Sequence, residues 1–340
     1  MSFDPKRRQA LEALALLAGL VAAPGEAHGE PRPSPPRARA RSRPSRRTAP
    51  IVVQVRRPGV RDSSTGRVDP TRLDEMLTLA VTRATSRKTP VAAFRRLFRR
   101  SDVVGIKVGT LAGRGLSPHP ELVAKLTQWL EQAGVKAGNI VIWDRTDQEL
   151  RAAGYTLQKD RQKVRCFGTN QDYVWSPREW GAGGSCFPRL LLGELTALIN
   201  VAVLKDHDLA GISAGLKNWY GAIHNPNKYH GDGCNPYIAR LAAYPLIKSK
   251  LRLTVIDGLV AQCHAGPARS PRWAWPYDGV LVSTDPVAID AVAWQVIEAR
   301  RKQVGLKSLA AEGREPKWIA AAARLGLGEA RIDHIRRVEL

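Results

Sequence analysis

Residues 103–144, VVGIKVGTLAGRGLSPHPELVAKLTQWLEQAGVKAGNIVIWD, decide the fold. The run 103–109 is apolar and interrupted only by Lys107, the pattern of a strand buried on both faces. A glycine-rich loop, 109–115, follows it. Residues 117–134 then carry every mark of a helix. Ser117 or His119 can cap its start, Pro118 or Pro120 suits the first turn, and Glu121 complements the positive end. Leu122, Leu126 and Leu130 share one face, and Gly134 suits the stop. Residues 139–144 (NIVIWD) return to an apolar strand, which completes a β-α-β unit.

Working outward, further apolar runs lie at 195–205, 251–257 (LRLTVID) and 279–285 (GVLVSTD). The last leads into a helix that Thr284 or Asp285 can cap, with Pro286 in its first turn; Asp290, in the second turn, reads as a solvated acid. Arg95-Arg96 and Arg99-Arg100 read as lying on one earlier helix. Strands alternating with helices give an α/β class, a Rossmann-like layered fold with a largely parallel sheet. Residues 146–194 have weak periodicity and many Gly, Trp and Arg, so they read as an inserted, lid-like segment in a single domain spanning 51–340.

The formal charge is +22 over 340 residues. Such a field favours anionic partners, but an arginine-rich solvated surface is the simpler reading. No zinc-finger spacing, RNP-like aromatic motif or helix-turn-helix accompanies it, so nucleic acid is the weakest of these partners. Near the start, Lys6-Arg7-Arg8 precedes an apolar run ending at Ala23, with Ala27 as a small residue for cleavage. Residues 1–28 therefore read as an export signal of twin-arginine type, with an ordinary amphipathic helix as the alternative, and the expected location is periplasmic. The run is too short for a mature transmembrane helix. Residues 29–50, rich in Pro and Arg, read as a disordered linker. Cys166, Cys186, Cys234 and Cys263 lie far apart without CxxC, so this chain's own cysteines suggest no iron–sulfur cluster. Cys166 and Cys186 could pair under oxidising conditions, and free buried thiols are the simpler reading.

In open α/β sheets ligands bind beyond the carboxyl ends of the strands. Here the strands end on Lys107, Asp144, Lys205 with His207, Asp257 and Asp285, which would converge on one edge. Residues 198–230 are the densest part of that edge, with Lys205, His207, Lys217, Asn218, His224 and His230. Lys205 and His207 are two apart and share a side in extended chain. The lysine can neutralise a carboxylate or phosphate; the histidine can exchange a proton or ligate a metal. Lys217 and Asn218 sit on a glycine-rich segment, GISAGLKNWYG, that reads as a helix whose N-terminus could meet an anion. His224 and His230 have no metal-ligand spacing and read as surface-loop residues. The loop GTLAGRG lacks the Gly-Lys-Ser/Thr of a phosphate-binding loop.

Taken in order, VVGIKVG, SPHPELV, LINVAVLKDH, GLKNWYGAI, LTVIDGL, the Ala-Gly-Pro at 265–267 and VSTDPVAIDAV resemble the successive motifs of the DUF362 family across roughly residues 100–300. That resemblance implies a shared site around Lys107, Lys205, His207, Lys217, Asn218, Asp257 and Asp285, in a family of unknown function. Its members often carry a twin-arginine signal or a ferredoxin-like cluster domain. The cluster cysteines are missing here, so a redox role would need a separate iron–sulfur partner. Val108-Gly109 stands where Pro-Asn is frequent, Ala202 where Pro is, and Asp206 where Thr is. Two functions follow as expectations. One is an exported enzyme for an anionic small molecule or cofactor, with Lys205, His207 and Lys217 catalytic and Lys107, Asn218, Asp144, Asp257 and Asp285 binding the ligand. The other is a non-catalytic protein that holds an anionic ligand or metallocofactor. The identity of any metal is open.

Overall fold

The computed structural model describes residues 48–340. The expected export signal and residues 29–47 of the expected linker lie outside the described residues. The strands are β1 (Ile51–Arg56), β2 (Val104–Val108), β3 (Ile140–Asp144), β4 (Arg165–Gly168), β5 (Arg178–Glu179), β6 (Gly184–Ser185), β7 (Ala197–His207), β8 (Gly211–Ser213), β9 (Leu251–Gln262), β10 (Ala274–Trp275), β11 (Gly279–Ser283) and β12 (Arg336–Glu339). The helices are α1 (Pro70–Thr85), α2 (Pro90–Leu97), α3 (Pro120–Ala133), α4 (Asp147–Ala152), α5 (Tyr237–Ala242), α6 (Pro245–Lys248), α7 (Pro286–Gln303) and α8 (Lys317–Arg324).

A ten-stranded sheet runs in the order β12-β1-β11-β9-β7-β2-β3-β4, with β8 attached to β7 and β10 to β9. Strands β9, β7, β2, β3 and β4 are mutually parallel, and β11 runs against its neighbours β9 and β1. This is the Rossmann-like, largely parallel α/β architecture that the sequence implies. The β2-α3-β3 unit forms as read, with every residue of β2 and β3 buried.

Helix α3 starts at Pro120 behind His119, and Gly134 closes it in the left-handed region at φ 103°, a conformation that costs a Cβ-bearing residue energy. Its Leu122, Leu126 and Leu130 join α1 and α2 in a core on one sheet face. Helices α5, α6, α7 and α8 build a second core on the other face, around Ile256, Leu281, Ile289 and Trp318. Two apolar layers of helix on one sheet are what a parallel sheet needs, since both of its faces are apolar.

Two local expectations are corrected. Helix α2 ends at Leu97, so Arg99 and Arg100 lie past it, and Asp102 accepts the Arg99 N–H at 2.8 Å. The GISAGLKNWYG segment is not one helix: β8 takes its start and a 3-10 segment, Leu216–Ala222, takes its end. Within 146–194, α4 and the edge strand β4 extend the sheet layer, followed by the β5–β6 hairpin. All four cysteines are buried free thiols, so Cys166 and Cys186 are not bridged. No helix among the described residues is long and apolar enough to cross a membrane.

Candidate functional site

A cavity of about 470 Å³ opens at the carboxyl ends of β2, β3 and β7. Parallel register brings its first pair together. Lys107 and Trp143 are partners across β2 and β3, so Lys107 stands beside the end residue Asp144. Lys107 Nζ donates to Asp144 Oδ1 at 2.6 Å, to the Val108 carbonyl at 2.7 Å and to Asn218 Oδ1 at 3.2 Å. Asp144 Oδ2 accepts the Thr110 N–H at 2.7 Å and its hydroxyl at 2.6 Å. Both charges are thus compensated within the chain, so neither offers a bare charge to a ligand. Asn218 Nδ2 in turn donates to Asn200 Oδ1 at 2.7 Å, and its place is spent on fixing Lys107. Backbone must come close here: a Cβ on Gly221 would lie 2.6 Å from Lys107 Nζ. Gly221→Ala is expected to push this pair apart and lower the thermal midpoint by several degrees, readable by calorimetry.

Lys205 and Lys217 differ in kind. Lys205 is 7% exposed and donates to the Pro267 carbonyl at 3.2 Å. Lys217 is 8% exposed, stands 4.2 Å from the centre of the Tyr220 ring, and meets His230 Nε2 at 3.2 Å. Among the described residues no carboxylate forms an ion pair with either. Burial, and for Lys205 also the neighbouring Lys217 charge, lowers each amine to about 8.

His207 lines the same cavity. Its Nδ1 accepts the Leu209 N–H at 3.2 Å and the Ala210 N–H at 3.3 Å, which places the ring proton on Nε2. Asp208 Oδ1 lies 2.9 Å from that Nδ1 and shares the Leu209 N–H, so this contact is two acceptors on one donor rather than an ion pair. Burial, together with Lys217, His230 and Lys205, pushes the imidazole down to about 2. His207 is therefore a neutral ring near pH 7. In this tautomer the ring presents an Nε2–H donor.

His230, which its loop sequence marks as a surface residue, belongs to the site. It stacks on His207 with ring centres 5.6 Å apart, and its Nε2 lies 3.2 Å from Lys217 Nζ. His224 stays outside, exposed, with its ring edge-on to Trp175 at 5.0 Å.

Two expected ligand residues are not brought to the cavity. Asp257 accepts the His119 N–H at 2.7 Å, faces His119 Nδ1 at 2.8 Å, and accepts the Leu259 N–H at 2.9 Å, so it ties β9 to the start of α3. Asp285 caps α7 through the Val287 and Ala288 N–H groups, both at 2.9 Å. Because β11 is antiparallel, its end lies at the opposite edge from those of β2, β3 and β7. Among the described residues no group of three or more His, Cys, Asp or Glu is gathered as a metal would require.

The family model described as "Domain of unknown function (DUF362)" matches residues 104–295, more than half of the chain. The chain belongs to the DUF362 family. No curated protein and no solved structure matches it.

The DUF362 match ends before the two arginines that brace the site from behind. Asp206, fully buried, accepts the Gly266 N–H at 2.9 Å and Arg314 Nη1 at 2.8 Å. Arg314 Nη1 also donates to the His207 carbonyl at 3.0 Å. Arg301, also fully buried, lies 3.7 Å from Asp206 and 2.6 Å from Glu312, and donates to the Cys263 carbonyl at 2.9 Å. An acid at 206, where the family frequently has Thr, thus goes with two arginines beyond the matched region. Gly109, where Asn is frequent, leaves room for Asn218, since a Cβ there would be 2.8 Å from Asn218 Oδ1.

Asp290 is a further correction. It is fully buried rather than solvated, and accepts the Gly215 and Leu216 N–H groups at 2.7 and 2.8 Å. The anion expected at the start of the Lys217 segment is therefore this chain's own carboxyl. Burial raises it from 3.8 to about 7. The folded chain then holds this proton more tightly than the unfolded chain does. The stability so gained is complete at low pH and is lost as pH rises from about 4 to about 7. Asp290→Asn is expected to lack that falling slope in unfolding free energy against pH. An identical slope in the variant would count against it.

Proposed function

We propose that this protein is an enzyme for an anionic small molecule, bound between Lys205 and Lys217 with the His207 Nε2–H as a third donor. One observation supports the reading above others: two buried amines face one cavity, and among the described residues neither is ion-paired to a carboxylate. Burying an uncompensated ammonium costs several kcal/mol, a cost that an anion in the cavity would offset. Leu111, Ala202, Val203 and Pro226 give the cavity apolar walls, which strengthen the attraction by excluding water. Amines that titrate near 8 also suit proton transfer close to neutral pH.

The test is a thermal-shift panel of inorganic phosphate, oxalate and pyruvate. At least one anion is expected to raise the midpoint in the wild type, and Lys205→Met and Lys217→Met are expected to lose that shift. The sign with pH is fixed. Each amine is lowered, so the folded chain binds fewer protons than the unfolded chain between about 8 and about 10.4, and stability rises with pH across that window. A bound anion favours the ammonium form, so binding at pH 8 is expected to take up protons. Calorimetry in two buffers of different ionisation enthalpy measures this; proton release would contradict it.

We also propose export through the Arg7-Arg8 signal. Arg7→Lys with Arg8→Lys is expected to leave the protein in the cytoplasmic fraction, and unchanged export would overturn the assignment.

A further inference from the structure

The two lysines are not equivalent, and the difference suggests what kind of anion the cavity takes. Lys217 sits over the face of Tyr220, with its amine 4.2 Å from the ring centre, and a ring face attracts the charged ammonium. Its second contact is His230 Nε2 at 3.2 Å, on a ring that burial and the Lys217 charge keep neutral and so able to accept from the ammonium. Both contacts favour the cation.

Lys205 has neither. It donates to one peptide carbonyl, that of Pro267, and among the described residues no ring or ion-paired carboxylate stands against it; Asp144, lining the same cavity, favours its charge without pairing with it. The Lys217 charge lowers the Lys205 amine further. A cation held beside a second, apolar-walled amine is the arrangement that makes a lysine nucleophilic. The first lysine anchors the negative end of a ligand, and the second is left to react.

We propose that the cavity takes a carbonyl-bearing anion of the 2-oxo acid class, with Lys217 holding the carboxylate and Lys205 forming an imine with the adjacent carbonyl. This rests on the anionic reading of the same cavity. The step balances without a further reagent. The neutral Lys205 amine adds to the carbonyl carbon, and the carbonyl oxygen becomes a hydroxyl. That hydroxyl takes its hydrogen from the amine; its loss together with the one hydrogen left on nitrogen releases one water and leaves a C=N bond, with no electrons gained or lost. The neutral His207 ring, with its proton on Nε2, is suited to donate a hydrogen bond to the forming hydroxyl.

The experiment uses the full chain with pyruvate as the probe and sodium cyanoborohydride to reduce any imine, followed by peptide mapping. One carboxyethyl group is expected on Lys205, at a rate roughly tenfold or more above that of the exposed Lys88. The rate is expected to rise through pH about 8 as the free amine appears. Lys205→Arg keeps the charge and separates the two claims: it is expected to retain pyruvate binding by calorimetry and to lose the adduct. Lys217→Met is expected to lose both. Saturable pyruvate binding with no adduct on Lys205 overturns the imine and leaves the anion site standing. Absence of binding by pyruvate, oxalate and phosphate alike overturns both. Circular dichroism on each variant confirms that it is folded, and a variant that is not folded is replaced by Lys205→Gln or Lys217→Gln.

Discussion

Asp144→Asn is expected to lower the unfolding free energy by about 3–5 kcal/mol, because it leaves the Lys107 ammonium buried without its carboxylate. Lys107 is 1% exposed, so water cannot replace the lost partner. The damage does not stop at the pair. Thr110 N–H and hydroxyl both donate to Asp144 Oδ2, and an amide nitrogen in that place turns two donors against a third. A double variant, Lys107→Met with Asp144→Leu, removes both charges and is expected to recover most of the loss, since an apolar pair of similar size often serves as well as a buried ion pair. Urea unfolding at pH 7 measures this through the midpoint at constant slope. A single variant that unfolds at the wild-type midpoint would show that the pair contributes nothing to the folded state.

Arg301→Met is expected to cost a similar amount, about 3–5 kcal/mol, at a position outside the family match. The guanidinium is fully buried and serves Glu312, Asp206 and the carbonyls of Cys263 and Lys307. Its removal takes a donor from the Cys263 and Lys307 carbonyls and leaves Arg314 as the one arginine serving the two carboxylates, which is the costly side of hydrogen-bond loss. The consequence reaches the cavity. Asp206 lies between Lys205 and His207, and Arg314 bonds both Asp206 and the His207 carbonyl, so a relaxed network loosens the end of β7. The expected readout is a lower urea midpoint together with weaker anion binding. A stability loss with unchanged binding would confine Arg301 to holding the fold.

Much of the frame can be read from the chain. The β2-α3-β3 unit is legible because buried strands need unbroken apolar runs and because His119, Pro120 and Gly134 mark both ends of α3. Direction is not legible: the β11 run GVLVS looks like any other core strand, and only its pairing with Asp257 and Thr254 reveals that it is antiparallel. That one inversion removes Asp285 from the site. Lys205, His207 and Lys217 reach the cavity as their spacing suggests, since β7 delivers the first two directly. Lys107 also reaches it, but as half of a closed pair, because the partner is 37 residues away and parallel register alone brings it near. His230 is hidden among Pro, Asn and Gly that read as an ordinary loop; its meaning comes from the Lys217 ammonium 3.2 Å away. Asp290 looks like any helix-surface acid, because its partners are peptide N–H groups 74 and 75 residues distant that carry no side-chain signature.

The central claim is that Lys205 and Lys217 together hold an anion, and calorimetric titration with the strongest stabiliser among phosphate, oxalate and pyruvate tests it most directly. The wild type is expected to bind one equivalent saturably. Lys217→Met is expected to weaken that binding by roughly thirtyfold or more, the about 2 kcal/mol that loss of one buried charged partner costs at minimum. Equal affinity in the wild type and the variant would contradict it.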